Sequence, residues 1–160
     1  MKTSVRSGHE NAAVLPAVGE NRPDFAPELL EGGEFSEFWF AGHDGTALVG
    51  WTNGGSGPQV LICNGLGVPP QAWPRLIDPD CGYQVISWNH RGGLGSQRPA
   101  DPDAIKVEDH AQDALALMDL VGWDDALLVG WSIGVNVSFE VATEDPSWNN
   151  STFPAPSEKT

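Results

Sequence analysis

Basic residues are scarce in this chain: eight Lys and Arg stand against 22 Asp and Glu in 160 residues, a formal net charge of −14 at pH 7. Phosphate contacts need Lys and Arg, so the imbalance argues against nucleic acid and anionic membrane surfaces as partners. An acidic, solvated surface is the simpler meaning of the charge. Cysteine is sparse too. Two residues, Cys63 and Cys81, make no disulfide framework. One falls at the end of a strand candidate and the other just before a second strand. If those strands are parallel neighbours, the two lie near opposite ends of the sheet, out of bridging reach. Both read as free thiols in a reducing compartment, which points to a cytoplasmic protein. No run of about 18 apolar residues occurs, so no membrane span is expected. Lys2 and Arg6 are not followed by an apolar stretch, so the N-terminus does not read as a secretory signal. No His, Cys or Asp cluster shows metal-ligand spacing. The glycines at 92, 93 and 95 do not open a helix after a first parallel strand, as a dinucleotide fingerprint requires. No cofactor is expected.

Glycine and proline, by contrast, are plentiful, with 19 and 13 residues. They punctuate the chain into short elements. Residues 1–35 lack periodicity and read as a flexible arm. Residues 37–41 and 46–52 read as an antiparallel hairpin around the turn His43-Asp44-Gly45. Residues 59–63 form a wholly apolar run, as expected of a strand covered on both faces. A short helical piece is expected around 71–77 and a strand over 83–88. Val107, Ala111, Ala114, Leu115, Met118 and Val121 fall at helical spacing, Glu108 and Asp109 suit the first turn, and Gly122 suits the end. A fifth strand over 126–131 and a helix from 133 to about 142 follow. Residues 146–160 have neither periodicity and read as a disordered tail, which leaves 36–145 as the folded domain. Strands alternating with helices after one hairpin argue for a three-layer, mostly parallel α/β sheet.

The stretch that carries chemistry is Gly130-Trp131-Ser132-Ile133-Gly134. Strand, Gly-x-Ser-x-Gly, helix is the setting of a nucleophile elbow. The serine sits in a strained turn so that its hydroxyl leaves the sheet, and only small residues fit two before and two after it. The helix that follows aims backbone N–H groups and its positive end at a developing oxyanion.

Two further motifs precede it in order. Asn64-Gly65-Leu66-Gly67 follows the third strand, and Asn89-His90-Arg91-Gly92 with Gly95-Ser96 follows the fourth. Together the three make residues 37–146 resemble the N-terminal half of the α/β-hydrolase fold family. There the first motif is commonly His-Gly followed by an oxyanion-hole residue, and the second is Asp-x-Arg-Gly-x-Gly-x-Ser. The resemblance implies Ser132 as nucleophile, the Leu66 and Ile133 backbone N–H groups as oxyanion hole, and Gly130 and Gly134 as the small residues of the elbow. It implies acyl transfer, most simply ester hydrolysis on a small-molecule acyl or ester substrate. Asn64 stands for the usual His, Asn89 for the usual Asp, and the Gly-rich loop carries an extra residue.

In this family the acid and the His follow the serine, and only 28 residues follow Ser132 here. The expectation is therefore a truncated form with little or no activity alone. The alternative is a non-catalytic interaction module that retains the fold. Among the histidines, His9 lies in the arm, His43 in the hairpin turn, and His110 on a helix outside the sheet. His90 is at the right sheet edge, but the fourth and fifth strand ends should lie roughly 10 Å apart, so it reads as a solvated loop residue. Asp44, Asp101 and Asp103 read as turn residues. Trp39, Trp88, Trp131 and Phe139 read as core. Without later strands, the fifth strand would be an exposed apolar edge, a route to self-association.

Overall fold

The computed structural model describes residues 35–144. The expected arm over 1–35 (Phe35 apart) and the tail over 146–160 lie outside the described residues. Within them the chain forms β1 (Ser36–Ala41), β2 (Ala47–Thr52), β3 (Gln59–Cys63), a single 3₁₀ turn at Pro70–Ala72, β4 (Gln84–Trp88), α1 (Val107–Val121), β5 (Leu127–Gly130) and α2 (Ile133–Glu144). The helical piece expected near 71–77 is thus only that turn plus irregular chain.

The five strands form one mixed sheet in the order β1-β2-β4-β3-β5. β1–β2 and β2–β4 pair antiparallel, whereas β3–β4 and β3–β5 pair parallel. The parallel part is therefore the three-strand unit β4-β3-β5, with the hairpin attached beside β4. Register puts Cys63 opposite Gly130, so the ends of β3 and β5 arrive together at one edge.

Side-chain alternation along the strands divides the core. Leu61 and Cys63 of β3, with Ile86 and Trp88 of β4, face both long helices, where they meet Ala111, Ala114, Leu117, Met118, Val137 and Val141. Val60, Ile62 and Val85 face the other way and join Trp51 and Ile77, with Trp73 and Leu76 against them. The second face is thus covered by the irregular 70–81 segment. Ser87 is a polar residue buried within β4, and its hydroxyl donates to the Ile62 carbonyl at 2.7 Å. Cys63 and Cys81 are unpaired.

α1 follows its sequence signals closely. The Asp109 carboxylate accepts from the Lys106 N–H at 2.9 Å at the N-terminal end. Gly122 takes φ +71°, and the Gly122 and Trp123 N–H groups close back on Asp119 and Met118. This is the paired closure that ends many helices at a glycine.

Candidate active site

The site begins where β3 and β5 end. β5 passes through Trp131 and Ser132 straight into α2. Ser132 has φ +57°, a left-handed conformation that costs an L-residue about 1–2 kcal/mol. The turn is held by Trp131 N–H donating to the Cys63 carbonyl at 3.1 Å and Gly134 N–H donating to Trp131 at 2.9 Å. The flanking glycines are sterically required. A Cβ on Gly130 would lie 2.8 Å from Val135 Cα and 2.9 Å from the Gly134 oxygen, and one on Gly134 would overlap the Cys63 carbonyl. Ser132 is exposed, and its hydroxyl has no hydrogen-bond partner among the described residues. Ile133 opens α2, so its N–H has no carbonyl four residues back within the helix.

The loop after β3 lies against this turn. A Cβ built on Gly65 would be 3.4 Å from Ser132 Cβ and 2.8 Å from the Trp131 ring. Asn64 ties the loop together. Its Oδ1 accepts from Gly65 N–H at 3.0 Å and from Trp73 Nε1 at 3.1 Å, and its Nδ2 donates to Val68 at 2.9 Å. Leu66 at the tip is 64% exposed. The geometry thus gathers Ser132, Ile133, Gly130, Gly134 and the Gly65–Leu66 loop at one edge.

Several residues stand elsewhere than their sequence context suggested. His90 is not solvated: it is 4% exposed, and its Nε2 lies 2.7 Å from the Asn64 carbonyl. Burial lowers its pKa. β3 separates the ends of β4 and β5, so His90 reaches Asn64 and does not bond to Ser132. His110 is buried inside the α1–sheet interface, its ring centroid 4.4 Å from that of His90. Asp44 keeps its turn role, accepting from Thr46 N–H, but also accepts from Arg91 Nη1 at 2.7 Å. Its partial burial raises the carboxyl pKa, yet hydrogen bonds from Arg91 and Thr46 outweigh that and hold it well below the usual carboxylate range. Asp101 does act as a turn residue, accepting from Asp103 N–H. Trp88 is fully buried, but Trp131 and Phe139 are 58% and 69% exposed because they project from the elbow and α2 away from the sheet.

A polar cluster under the hairpin, centred on the buried Arg91 and Asp113, reaches beyond the three motifs. Arg91 spans Asp113 and Asp44, and His43 Nδ1 sits 3.1 Å from Asp113 Oδ1. One signal was available. His110 and Asp113 fall on the same stripe of α1 as the buried Ala111, Ala114 and Leu117. The second motif is tied down as well: Ser96 Oγ donates to the Asn89 carbonyl at 2.7 Å and accepts from Val49 N–H at 2.9 Å. Among the described residues no set of three or more His, Cys, Asp or Glu could hold a metal ion.

Residues 58–147, more than half of the chain, match the model of the alpha/beta hydrolase fold family. The chain belongs to the α/β-hydrolase family. A Caulobacter segnis protein provisionally named carbamate hydrolase RutD is 33% identical over 98 residues, covering 61% of this chain and 36% of its own length. An epoxide hydrolase from Caballeronia sordidicola is 30% identical over 97 residues, covering 59% of this chain and 30% of its own. The chain thus spans about a third of the length of these curated relatives. Among solved structures, the N-acyl homoserine lactonase AidH superposes with a TM-score of 0.64 at 20% identity, covering 71% of this chain and 42% of its own. At that identity the likeness concerns the fold. No helix among the described residues is long and apolar enough to cross a membrane.

Proposed function

We propose that this α/β-hydrolase chain carries the nucleophile half of a serine hydrolase site, with Ser132 attacking an ester or related acyl group. One observation carries the reading: Ser132 stands exposed at φ +57° between β5 and the start of α2, with the Gly65–Leu66 loop against it. In the reaction, Ser132 Oγ bonds to the acyl carbon while its proton passes to a base. The acyl–oxygen bond of the ester then breaks, and the leaving alcohol takes that proton. Water repeats the sequence and frees the acid. The N–H groups of Leu66 and Ile133 would hold the oxyanion, which is worth about 3–4 kcal/mol per donor in related sites.

A serine hydroxyl needs a base. The described histidines do not bond to it, so the acid and base would come from outside residues 35–144. We therefore propose that the described fold alone turns over esters poorly. Incubation with a chromogenic short-chain ester tests this. Wild type should release product slowly and Ser132→Ala should fall to background; equal rates would remove the hydrolase reading.

One observation favours a second reading, a non-catalytic interaction module. Leu66 in the loop after β3, Trp131 in the elbow and Val135 and Phe139 on α2 are all exposed apolar residues. β5 is moreover an edge strand with Leu127 exposed, so self-association through that edge belongs to the proposal. The unpaired Cys63 and Cys81 support placing the protein in the cytoplasm.

A further inference from the structure

Asn64 and Gly65 share one peptide group, and both of its polar ends are held. The Gly65 N–H donates to Asn64 Oδ1 at 3.0 Å, and the carbonyl oxygen lies 2.7 Å from His90 Nε2. A carbonyl accepts, so His90 must carry its proton on Nε2. The same carbonyl borders the elbow, because a Cβ on Gly134 would come within 2.7 Å of it. The next peptide is fixed at one end only: the Gly65 carbonyl accepts from Val68 N–H at 3.4 Å, while the Leu66 N–H has no partner among the described residues.

His90 itself is fixed by packing. Its ring meets Trp88 edge-on at 5.5 Å and His110 at 4.4 Å. Its Nδ1 is buried and has no hydrogen-bond partner. A buried, unpaired nitrogen costs about 1–3 kcal/mol. Phe would remove that cost and fill the same space, yet the chain places a histidine here with one nitrogen bonded and the other bare.

We propose that His90 is a positioning residue for the oxyanion loop: by donating Nε2–H to the Asn64 carbonyl it fixes the Asn64–Gly65 peptide plane, and so the start of the next peptide, which carries the Leu66 N–H beside the elbow. The proposal rests on the reading of Ser132 as nucleophile. It acts through the loop, since His90 touches neither the serine nor the space in front of it.

The test compares His90→Phe with His90→Gln, whose amide can place an N–H near the position of Nε2. Ser132 phosphonylation by a fluorophosphonate probe is timed in all three proteins, with amide hydrogen exchange of Gly65 and Leu66 as a second readout. His90→Phe should label roughly tenfold more slowly than wild type and exchange faster in the loop, with His90→Gln recovering most of both. Wild-type labelling and exchange in His90→Phe would overturn the positioning role. So would equal losses in the two variants, which denote packing alone. If wild type itself fails to label, the nucleophile reading fails, while loop exchange still decides whether His90 orders the loop. Should His90→Phe not fold, imidazole nitrogen NMR of wild type decides: Nε2–H bonded across to the Asn64 carbonyl supports the role, and the Nδ1–H tautomer contradicts it.

Discussion

Asp113 grips Arg91 with both carboxylate oxygens, Oδ2 accepting from Nε at 2.6 Å and Oδ1 from Nη2 at 2.7 Å. Both side chains are fully buried. The pair joins α1 to the loop after β4 and, through Asp44 and His43, to the tip of the hairpin. Arg91 is held in its charged form by Asp113 first and Asp44 second, well above its ordinary range.

Removing one partner of a buried pair leaves the other charge without compensation. Asp113→Ala should therefore destabilise the fold by about 3–5 kcal/mol in urea denaturation. Asp44 is 32% exposed on its side chain, so Asp44→Ala should cost only about 1 kcal/mol. Equal effects from the two variants would contradict the division of roles.

Gly134 gives a second stability test, independent of charge. Its Cα is seated on the Cys63 and Asn64 carbonyls. Gly134→Ala cannot be absorbed by a rotamer change, because the obstructing atoms are backbone. A loss of at least about 3 kcal/mol is expected. Gly45→Ala has open space around it, and its strain comes only from φ +85°. It should cost about 1 kcal/mol.

Acid should weaken the fold through His110. Burial, ahead of the neighbouring His90, pushes its pKa down to about 4, with Arg91 acting in the same direction and Asp113 and Asp109 opposing. In the unfolded chain an imidazole titrates near ~6.5. The folded state refuses a proton that the unfolded state accepts. The contribution of this group is therefore complete above about pH 6.5 and is lost as the pH falls toward about 4, up to about 3 kcal/mol in all. Denaturation midpoints measured through that window should decline, and His110→Phe should flatten the decline. A slope unchanged in the variant would assign it to other groups.

The exposed β5 edge makes an association prediction. Light scattering on eluting fractions should show mass rising with concentration, and Leu127→Lys should suppress the rise by placing a charge at the edge. A strictly monomeric wild type would contradict it.

Cys63 is buried against α2, and burial raises its thiol pKa to about 11, a shift that Ser138 partly offsets. One thiol, Cys81, should react with a disulfide reagent near neutral pH in the folded protein, and two should react in denaturant.

The frame was legible in the sequence wherever a local rule governs it. The 59–63 run is β3 residue for residue, the 107–121 spacing is α1 with Gly122 at its end, and the Gly-x-Ser-x-Gly stretch is a strand-to-helix turn with Ser132 at positive φ. What escaped was set by distant contacts. His90 and His110 are some twenty residues apart, and only the packing of α1 on β4 brings their rings together. Arg91 looks like a loop cation until Asp113 and Asp44 arrive from different elements. Trp131 and Phe139 are apolar enough for a core, yet their turn and helix face leave them outside it. Hydrophobicity says that a residue prefers burial; only topology says which face is covered.

The proposal that Ser132 is the nucleophile of a serine hydrolase site is tested most directly by intact-mass and peptide-mapping mass spectrometry after exposure to a fluorophosphonate. A single adduct on the peptide bearing Ser132, formed slowly and absent from Ser132→Ala, is expected. No adduct, or an adduct that survives in Ser132→Ala, would contradict it.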